Sequence, residues 1–170
     1  MKSAIVIFIG GLVIGAAALA TFNGVMYMTS TEEFCGSSCH EMKTPLQSLQ
    51  RTAHYSNSHG VGVSCSDCHI PKEFGPKMLR KIEASREVWG HFTGLIDTPE
   101  KYAAHRPAMR ERELARIRAN DSQECRNCHR LERMDFEAQS RAVRRYHRGM
   151  ESRGKTCIDC HEGIAHPDAG

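Results

Sequence analysis

The chain is short of what a domain of its size uses to build an interior. It has one Trp, and aromatic residues make up 6% of its 170 residues. Hydrophobic residues reach 40%, but many lie in the first 28 positions, and the remainder of the chain is polar. A chain this long ordinarily needs more apolar side chains to bury a core. A bulky apolar group other than a side chain therefore has to supply the volume. A large charge of one sign is also missing. The formal net charge is +3, too mild to argue for a nucleic-acid partner. Between Lys2 and Glu32 there is no charged residue at all. No stretch alternates apolar and polar residues for long enough to read as a strand. The expected fold class is mainly α: one N-terminal transmembrane helix (1–28) followed by a small, helical, loop-rich domain (29–170).

The uncharged run from Ala4 to Phe22 is apolar apart from Thr21. Nineteen helical residues span roughly 28 Å, close to the hydrocarbon thickness of a bilayer. Ala16-Ala17-Ala18 and Ala18-Leu19-Ala20 resemble signal-peptide cleavage sites. The run is long for a signal core, however, and Val25, Met26 and Tyr27 extend it with an interfacial aromatic. It reads as a retained single-pass anchor. Lys2 on its own side places the N-terminus in the cytoplasm. Gly10, Gly11 and Gly15 leave room for a second helix, so an oligomer is open.

The cysteines name the missing apolar group. All eight fall into four close pairs, and a histidine follows each pair. Cys65-Ser66-Asp67-Cys68-His69, Cys125-Arg126-Asn127-Cys128-His129 and Cys157-Ile158-Asp159-Cys160-His161 are C-x-x-C-H, the pattern of covalent c-type haem attachment. The first pair, in Cys35-Gly36-Ser37-Ser38-Cys39-His40-Glu41-Met42, has one residue more between its cysteines and a methionine two past its histidine. A disulfide scaffold would not need the histidines, and a zinc site would space them differently. In each motif two thiols add across the two vinyl groups of one haem, and the adjacent histidine reaches the iron. Four haem c groups supply the volume that the side chains do not. Attachment requires exported, reduced apoprotein, which places 29–170 in the periplasm of a Gram-negative cell.

Between the motifs the pattern is helical. Thr31 or Ser30 caps a short helix carrying Cys35, and helix resumes over Met42 to Gln50. Pro76 to Trp89 is a helix with Gly90 just past its end; Met78, Ile82, Ser85 and Trp89 share one face, and Lys77, Arg80, Lys81 and Arg86 make the rest basic. Asp97 or Thr98 caps a further helix start at Pro99, and Ala108 to Arg118 is strongly helical. Asn120-Asp121-Ser122 breaks it. Asp135 to Glu151 reads as a helix with Phe136, Ser140, Val143, His147 and Met150 on one stripe. The arginines at 141, 144, 145 and 148 offer an acidic partner a docking surface, or serve haem propionates.

Low-spin electron-transfer haems take a second axial ligand. His69, His129 and His161 are the proximal ligands. Six histidines remain: His54, His59, His91, His105, His147 and His166. Three are needed. His147 lies on the apolar stripe, His166 follows the last motif, and His54 precedes the second. His105 is a further candidate. His59 and His91 read more readily as surface histidines or propionate partners.

Beyond the motifs, the chain carries Thr29-Ser30-Thr31-Glu32-Glu33-Phe34-Cys35, Ala84-Ser85-Arg86-Glu87-Val88-Trp89-Gly90, Ile96-Asp97-Thr98, Ala119-Asn120-Asp121-Ser122 and Gly163-Ile164-Ala165-His166-Pro167. With these segments it resembles, over essentially its whole length, the membrane-anchored tetrahaem quinol dehydrogenases of the NapC/NirT family. Glu-Val-Trp-Gly and Ile-Asp-Thr are most similar to the branch that supplies periplasmic nitrate reductase. The resemblance implies oxidation of a membrane quinol, menaquinol or ubiquinol, and electron delivery to a periplasmic reductase subunit. It implies a high-spin haem next to the inner (cytoplasmic) membrane, ligated by Met42, and distal ligands at His54, His147 and His166. It places an acidic residue, Glu87, beside the quinol, with Lys81 or Arg80 as basic partner and Asp97 as a lesser candidate. The extra residue between Cys35 and Cys39 departs from the family pattern and leaves Met42 or His40 as the first iron ligand. Two rival classes fit the same residues: a terminal haem reductase of a small nitrogen or sulfur species, and a passive relay without its own quinone site.

Overall fold

In the computed structural model, which describes residues 2–167, the chain opens with α1 (Lys2–Met28). Its best 18-residue window has a mean hydropathy of 2.5, and no residue of it is buried by the rest of the chain. The helix is long and apolar enough to cross a membrane. It ends where Thr29 Oγ1 and Ser30 Oγ donate back to the carbonyls of Val25 (2.7 Å) and Met26 (2.8 Å).

The remaining helices are α2 (Glu32–Ser37), α3 (Lys43–Leu49), α4 (Cys65–His69), α5 (Phe74–Phe92), α6 (Pro99–Ala119), α7 (Gln123–Arg126) and α8 (Arg141–Arg148), joined by short 3₁₀ turns. There is no strand among the described residues. Thr31 caps α2 by accepting from Phe34 N, and Thr98 caps α6 by accepting from Lys101 N. The apolar interior is small. Leu114 and Ile117 of α6 cluster with Ile158 of the last motif. Around the motifs, ionic pairs and histidines hold the elements together instead.

Three helix boundaries differ from the sequence reading. α5 runs through Gly90 to Phe92. Gly90 is buried within the helix, in contact range of Ile96 and Leu95, and the turn is made by Gly94 at φ +77°. α6 is one helix from Pro99, with Pro107 inside it rather than before a second start. The helix expected over 135–151 is only α8, because Asp135 Oδ1 accepts from the backbone N–H groups of Glu137 (2.9 Å) and Ala138 (3.2 Å). That turn, followed by the Ser140 cap, takes the chain out of the helical path. Phe136 nevertheless stays near the predicted stripe, its ring centroid 6.4 Å from that of His147.

One glycine sets the position of a candidate ligand. Val63 N donates to His54 O at 2.8 Å, closing the loop between α3 and α4. Inside it, a Cβ on Gly62 would lie 2.6 Å from the Tyr55 carbonyl oxygen, a backbone atom that cannot swing aside. Gly62→Ala is expected to cost about 1–3 kcal/mol and to displace His54, read as a lower melting temperature together with a changed spectrum of the haem that His54 serves.

Candidate haem sites

Local chemistry orients the cysteines. In the second and fourth motifs the residue before the first cysteine and the aspartate inside the motif form a capping box. Ser64 N donates to Asp67 Oδ2 at 2.8 Å, and Thr156 N to Asp159 Oδ2 at 2.8 Å. Each box holds its motif in a tight helical turn, which brings both thiols to one side. Among the described residues all eight cysteines are free thiols. Burial pushes the Cys65 thiol pKa up to about 11 and raises those of Cys35, Cys39 and Cys68 as well.

The motifs pack in chain order. α2, carrying Cys35, lies against α4, and α4 lies against α7, which carries Cys125. A hydrogen bond between Cys125 and Cys157, together with burial, raises the Cys125 thiol. Ser122 fixes the last junction. It is fully buried in a left-handed conformation (φ 52°), and its Oγ accepts from Ile158 N at 3.2 Å.

Histidines from distant parts of the chain face the motif histidines. The ring centroids of His54 and His129 are 6.1 Å apart, those of His69 and His166 6.2 Å, and those of His147 and His161 6.2 Å. Two imidazoles on opposite sides of one metal, each bound at about 2 Å, place their centroids about 6 Å apart. Two of the six rings have their second nitrogen anchored, as metal-bound histidines require. His69 Nδ1 donates to Glu113 Oε1 at 2.7 Å, and His147 Nδ1 to Gln139 Oε1 at 2.8 Å. In both, Nε2 is left for iron. His166 Nδ1 is buried without a hydrogen-bond partner. Burial, then the nearby His69 and Arg106, hold its pKa at about 4, so the ring is neutral, the form that binds metal. Cys65, Cys68, His69 and His166 line one cleft. Thiols, proximal imidazole and distal imidazole therefore converge, and the residues fit a covalently held haem. His105 is elsewhere: its Nδ1 donates to the Lys101 carbonyl of its own helix at 2.9 Å, and no motif histidine stacks near it among the ring contacts of the described residues.

A charged network backs the second motif. Glu113 accepts from His69, from Arg80 Nη2 (3.2 Å) and from Arg116 Nη2 (2.8 Å). Arg116 also donates to Glu124 Oε1 (2.8 Å) and to the Cys68 carbonyl (3.2 Å). Burial opposes ionisation of Glu113, but the bonds from His69 and Arg116 and the Arg80 charge outweigh it and hold the carboxyl far below its ordinary value. Arg80, expected at a quinol site, is thus committed to this network.

The first motif is built differently. His40 Nε2 donates to the Asp97 carbonyl at 2.9 Å, so the nitrogen that reaches iron in the other motifs is engaged. Its ring stands 5.8 Å from His91. Between them lies Glu41, buried, accepting from His91 Nδ1 at 2.6 Å, with its second carboxylate oxygen unpartnered. Burial opposes its ionisation, and the His91 hydrogen bond and the neighbouring histidines lower it below the ordinary carboxylate range. Met42 and Cys35 line the cleft that Cys65, Cys68, His69 and His166 of the second site also line. Lys81 Nζ donates to Thr29 O (2.7 Å) and Oγ1 (2.6 Å) at the end of α1, and its charge acts on Cys35. Glu87 Oε1 accepts from Arg112 Nη2 at 3.2 Å. Asp97 is exposed and paired with Lys101 at 2.7 Å. The expected quinol residues are therefore not gathered in one cluster. Glu41 and His91, which the sequence reading gave no quinol role, are the side chains grouped with His40, and Asp97 meets it through its backbone carbonyl; the only signal for Glu41 was its place inside the irregular motif. In the predicted docking surface, Arg144 and Arg148 both pair with Glu137.

The N-terminal region pattern of the NapC/NirT cytochrome c family matches residues 1–169. The chain is 51% identical over 152 residues to the cytochrome c-type protein NapC of Haemophilus influenzae strain Rd, covering 89% of this chain and 75% of that protein. It is 47% identical over 161 residues to the denitrification system component NirT of Stutzerimonas stutzeri, covering 94% and 80%. A putative tetraheme cytochrome c of Allochromatium vinosum is 43% identical over 159 residues, covering 94% and 84%. Among solved structures, one chain from the crystal structure of the cytochrome c nitrite reductase NrfHA complex bound to the inhibitor HQNO superposes with a TM-score of 0.51 at 25% identity, covering 94% of this chain and 90% of that one. Four cysteine-pair motifs, three facing imidazole pairs and these likenesses along the chain's length agree: the chain belongs to the NapC/NirT cytochrome c family.

Proposed function

We propose that this chain is a membrane-anchored tetrahaem quinol dehydrogenase of the bacterial inner membrane, with its N-terminus in the cytoplasm and residues 29–170 in the periplasm, and that it supplies a periplasmic nitrate reductase. The observation that carries the reading is the contrast among the motifs. Three have an imidazole facing their own at about 6 Å, the spacing of a closed, six-coordinate site. At the remaining one, nearest α1, His91 stands at a similar 5.8 Å, but His40 Nε2 is turned to the Asp97 carbonyl and His91 Nδ1 to the buried Glu41. An irregular site at the end of the anchor is where a lipid-soluble donor arrives.

Haem bound at each motif supplies one-electron redox chemistry, which a two-electron, two-proton quinol and a downstream reductase both require. The chain's own residues do the rest. Cys35 and Cys39, Cys65 and Cys68, Cys125 and Cys128, and Cys157 and Cys160 hold the haems. His69 with His166, His129 with His54, and His161 with His147 would hold three of the irons, and Met42 would hold the one at the first motif, where His40 Nε2 is engaged by Asp97 O. The quinol protons need a base. Glu87 and His91 are one turn apart on α5, and His91 leads on to the buried Glu41; these groups accept the protons from the quinol hydroxyls. Lys81, tied to Thr29 at the end of α1, supplies positive charge on the anchor side.

The test is reduction of the full chain in proteoliposomes by menaquinol and by ubiquinol. Glu87→Gln is expected to slow reduction by quinol at least tenfold and leave dithionite reduction unchanged. Equal quinol rates would move proton acceptance to Glu41 and His91. No reduction of the unaltered protein by either quinol, with reduction by a partner protein, would make it a passive relay and end this reading.

A further inference from the structure

α5 is turned inside out for a helix on a water-soluble surface. Its polar side chains face the protein: Arg80 bonds Glu113, Lys81 bonds Thr29, and His91 bonds Glu41. Its large apolar side chains face outward, with Ile82 65%, Trp89 71% and Phe92 78% exposed. Ile82, Trp89 and Phe92 recur at helical spacing, with Phe74 a further two turns toward the start, so they form one continuous stripe rather than scattered contacts. Contiguous exposed apolar surface of this kind marks an interaction site.

The start of the stripe lies against α1. The Phe74 ring is 6.4 Å from that of Phe22, near the end of α1, and one more bond ties α5 to the same end through Lys81 and Thr29. The apolar face of α5 is thus continuous with the surface of α1 that lipid would cover. Lys72 and Arg86 are exposed beside the stripe, as are the acidic Glu73 and Glu83. An amphipathic helix with aromatic and aliphatic residues on one face and basic residues at its edge lies in the bilayer interface, its apolar face about 5–10 Å below the headgroups. We propose that α5 is a second membrane contact, lying in the interfacial layer with Phe74, Ile82, Trp89 and Phe92 inserted. It thereby holds the inner face of the same helix, with Glu87 and His91, at the depth where a quinol headgroup resides. This rests on the reading of α1 as a membrane span.

The experiment uses the full haem-loaded chain in nanodiscs of phosphatidylethanolamine and phosphatidylglycerol containing a phospholipid with a photoreactive diazirine on its acyl chain. After illumination and digestion, mass spectrometry locates the label. Label is expected on peptides from both α1 and 74–92. In the double variant Ile82→Glu with Trp89→Glu it should fall at least fivefold on 74–92 and stay unchanged on α1, a comparison that also reports correct folding through an unaltered haem spectrum. Label on α1 with none on 74–92 overturns the proposal and leaves the anchor standing. Label on neither overturns the anchor reading itself. Crosslinks between the α5 helices of two copies, without lipid label on them, would assign the face to a dimer and also overturn it.

Discussion

His166→Gly is expected to convert one low-spin haem signal to high spin in low-temperature EPR of the oxidised protein, and millimolar imidazole is expected to restore it. The ring it removes faces His69 across 6.2 Å and carries a buried nitrogen with no protein partner. Burial and the nearby His69 and Arg106 lower its pKa, against a backbone hydrogen bond with Pro45, and favour the neutral, metal-binding ring. The same substitution at His54 or His147 should act on the partners of His129 and His161 respectively. His105→Gly is the internal control. Its ring is satisfied by the Lys101 carbonyl, and its loss should leave every EPR signal in place. A change of spin state on removing His105, with none on removing His166, would overturn the pairing.

Glu113→Ala is expected to lower stability by about 2–4 kcal/mol, because it leaves charges in a largely closed space without their counter-charge. Glu113 has a fifth of its side chain exposed, and its partners Arg80 and Arg116 less. Arg116 retains Glu124 and the Cys68 carbonyl, which keeps the loss below that of an isolated buried pair. Arg80 retains less, since its Nε is already buried without a partner. Glu113→Gln separates two effects. It keeps an oxygen to accept from His69 Nδ1 but removes the negative charge that strengthens the imidazole as a donor to metal. The glutamine variant should therefore recover part of the melting temperature while raising the reduction potential of the haem at the second motif. An unchanged potential in both variants would reduce Glu113 to a purely structural ion pair.

Much of this was legible in the residues, and the reasons differ from place to place. The four motifs and α1 are local patterns, each complete within a short stretch, and they appear where the sequence puts them. Thr31 and Thr98 were readable as caps for the same reason. The helix expected over 135–151 was not, because Asp135 and Ser140 each offer the backbone a side-chain alternative that periodicity does not weigh. Which distal histidine faces which motif is a matter of tertiary packing between residues as far apart as 69 and 166, and no spacing rule reaches that distance. The face of α5 was visible as a stripe of Met78, Ile82 and Trp89, yet its direction was not. A helical stripe says that something apolar covers it, and here most of the stripe points away from the protein. Glu113 and the Glu41–His91 pair were hidden among ordinary charged helix residues and acquire meaning only from what they touch.

The pairing of His69 with His166 makes the chain an interlaced object rather than a string of beads. His166 does not face the fourth motif, which it follows; it returns to face His69 of the second, while the fourth is faced by His147 from before it and the third by His54 from before the second. Damage is therefore displaced along the chain. A ribosome that stops, or a protease that trims, just short of residue 166 would leave the final cysteine pair and its own facing imidazole intact and open a coordination position near the middle of the molecule. On the proposed pairing, the segment around His166 would act as a latch on an earlier part of the chain, and the second site would be finished only once synthesis has passed all four motifs.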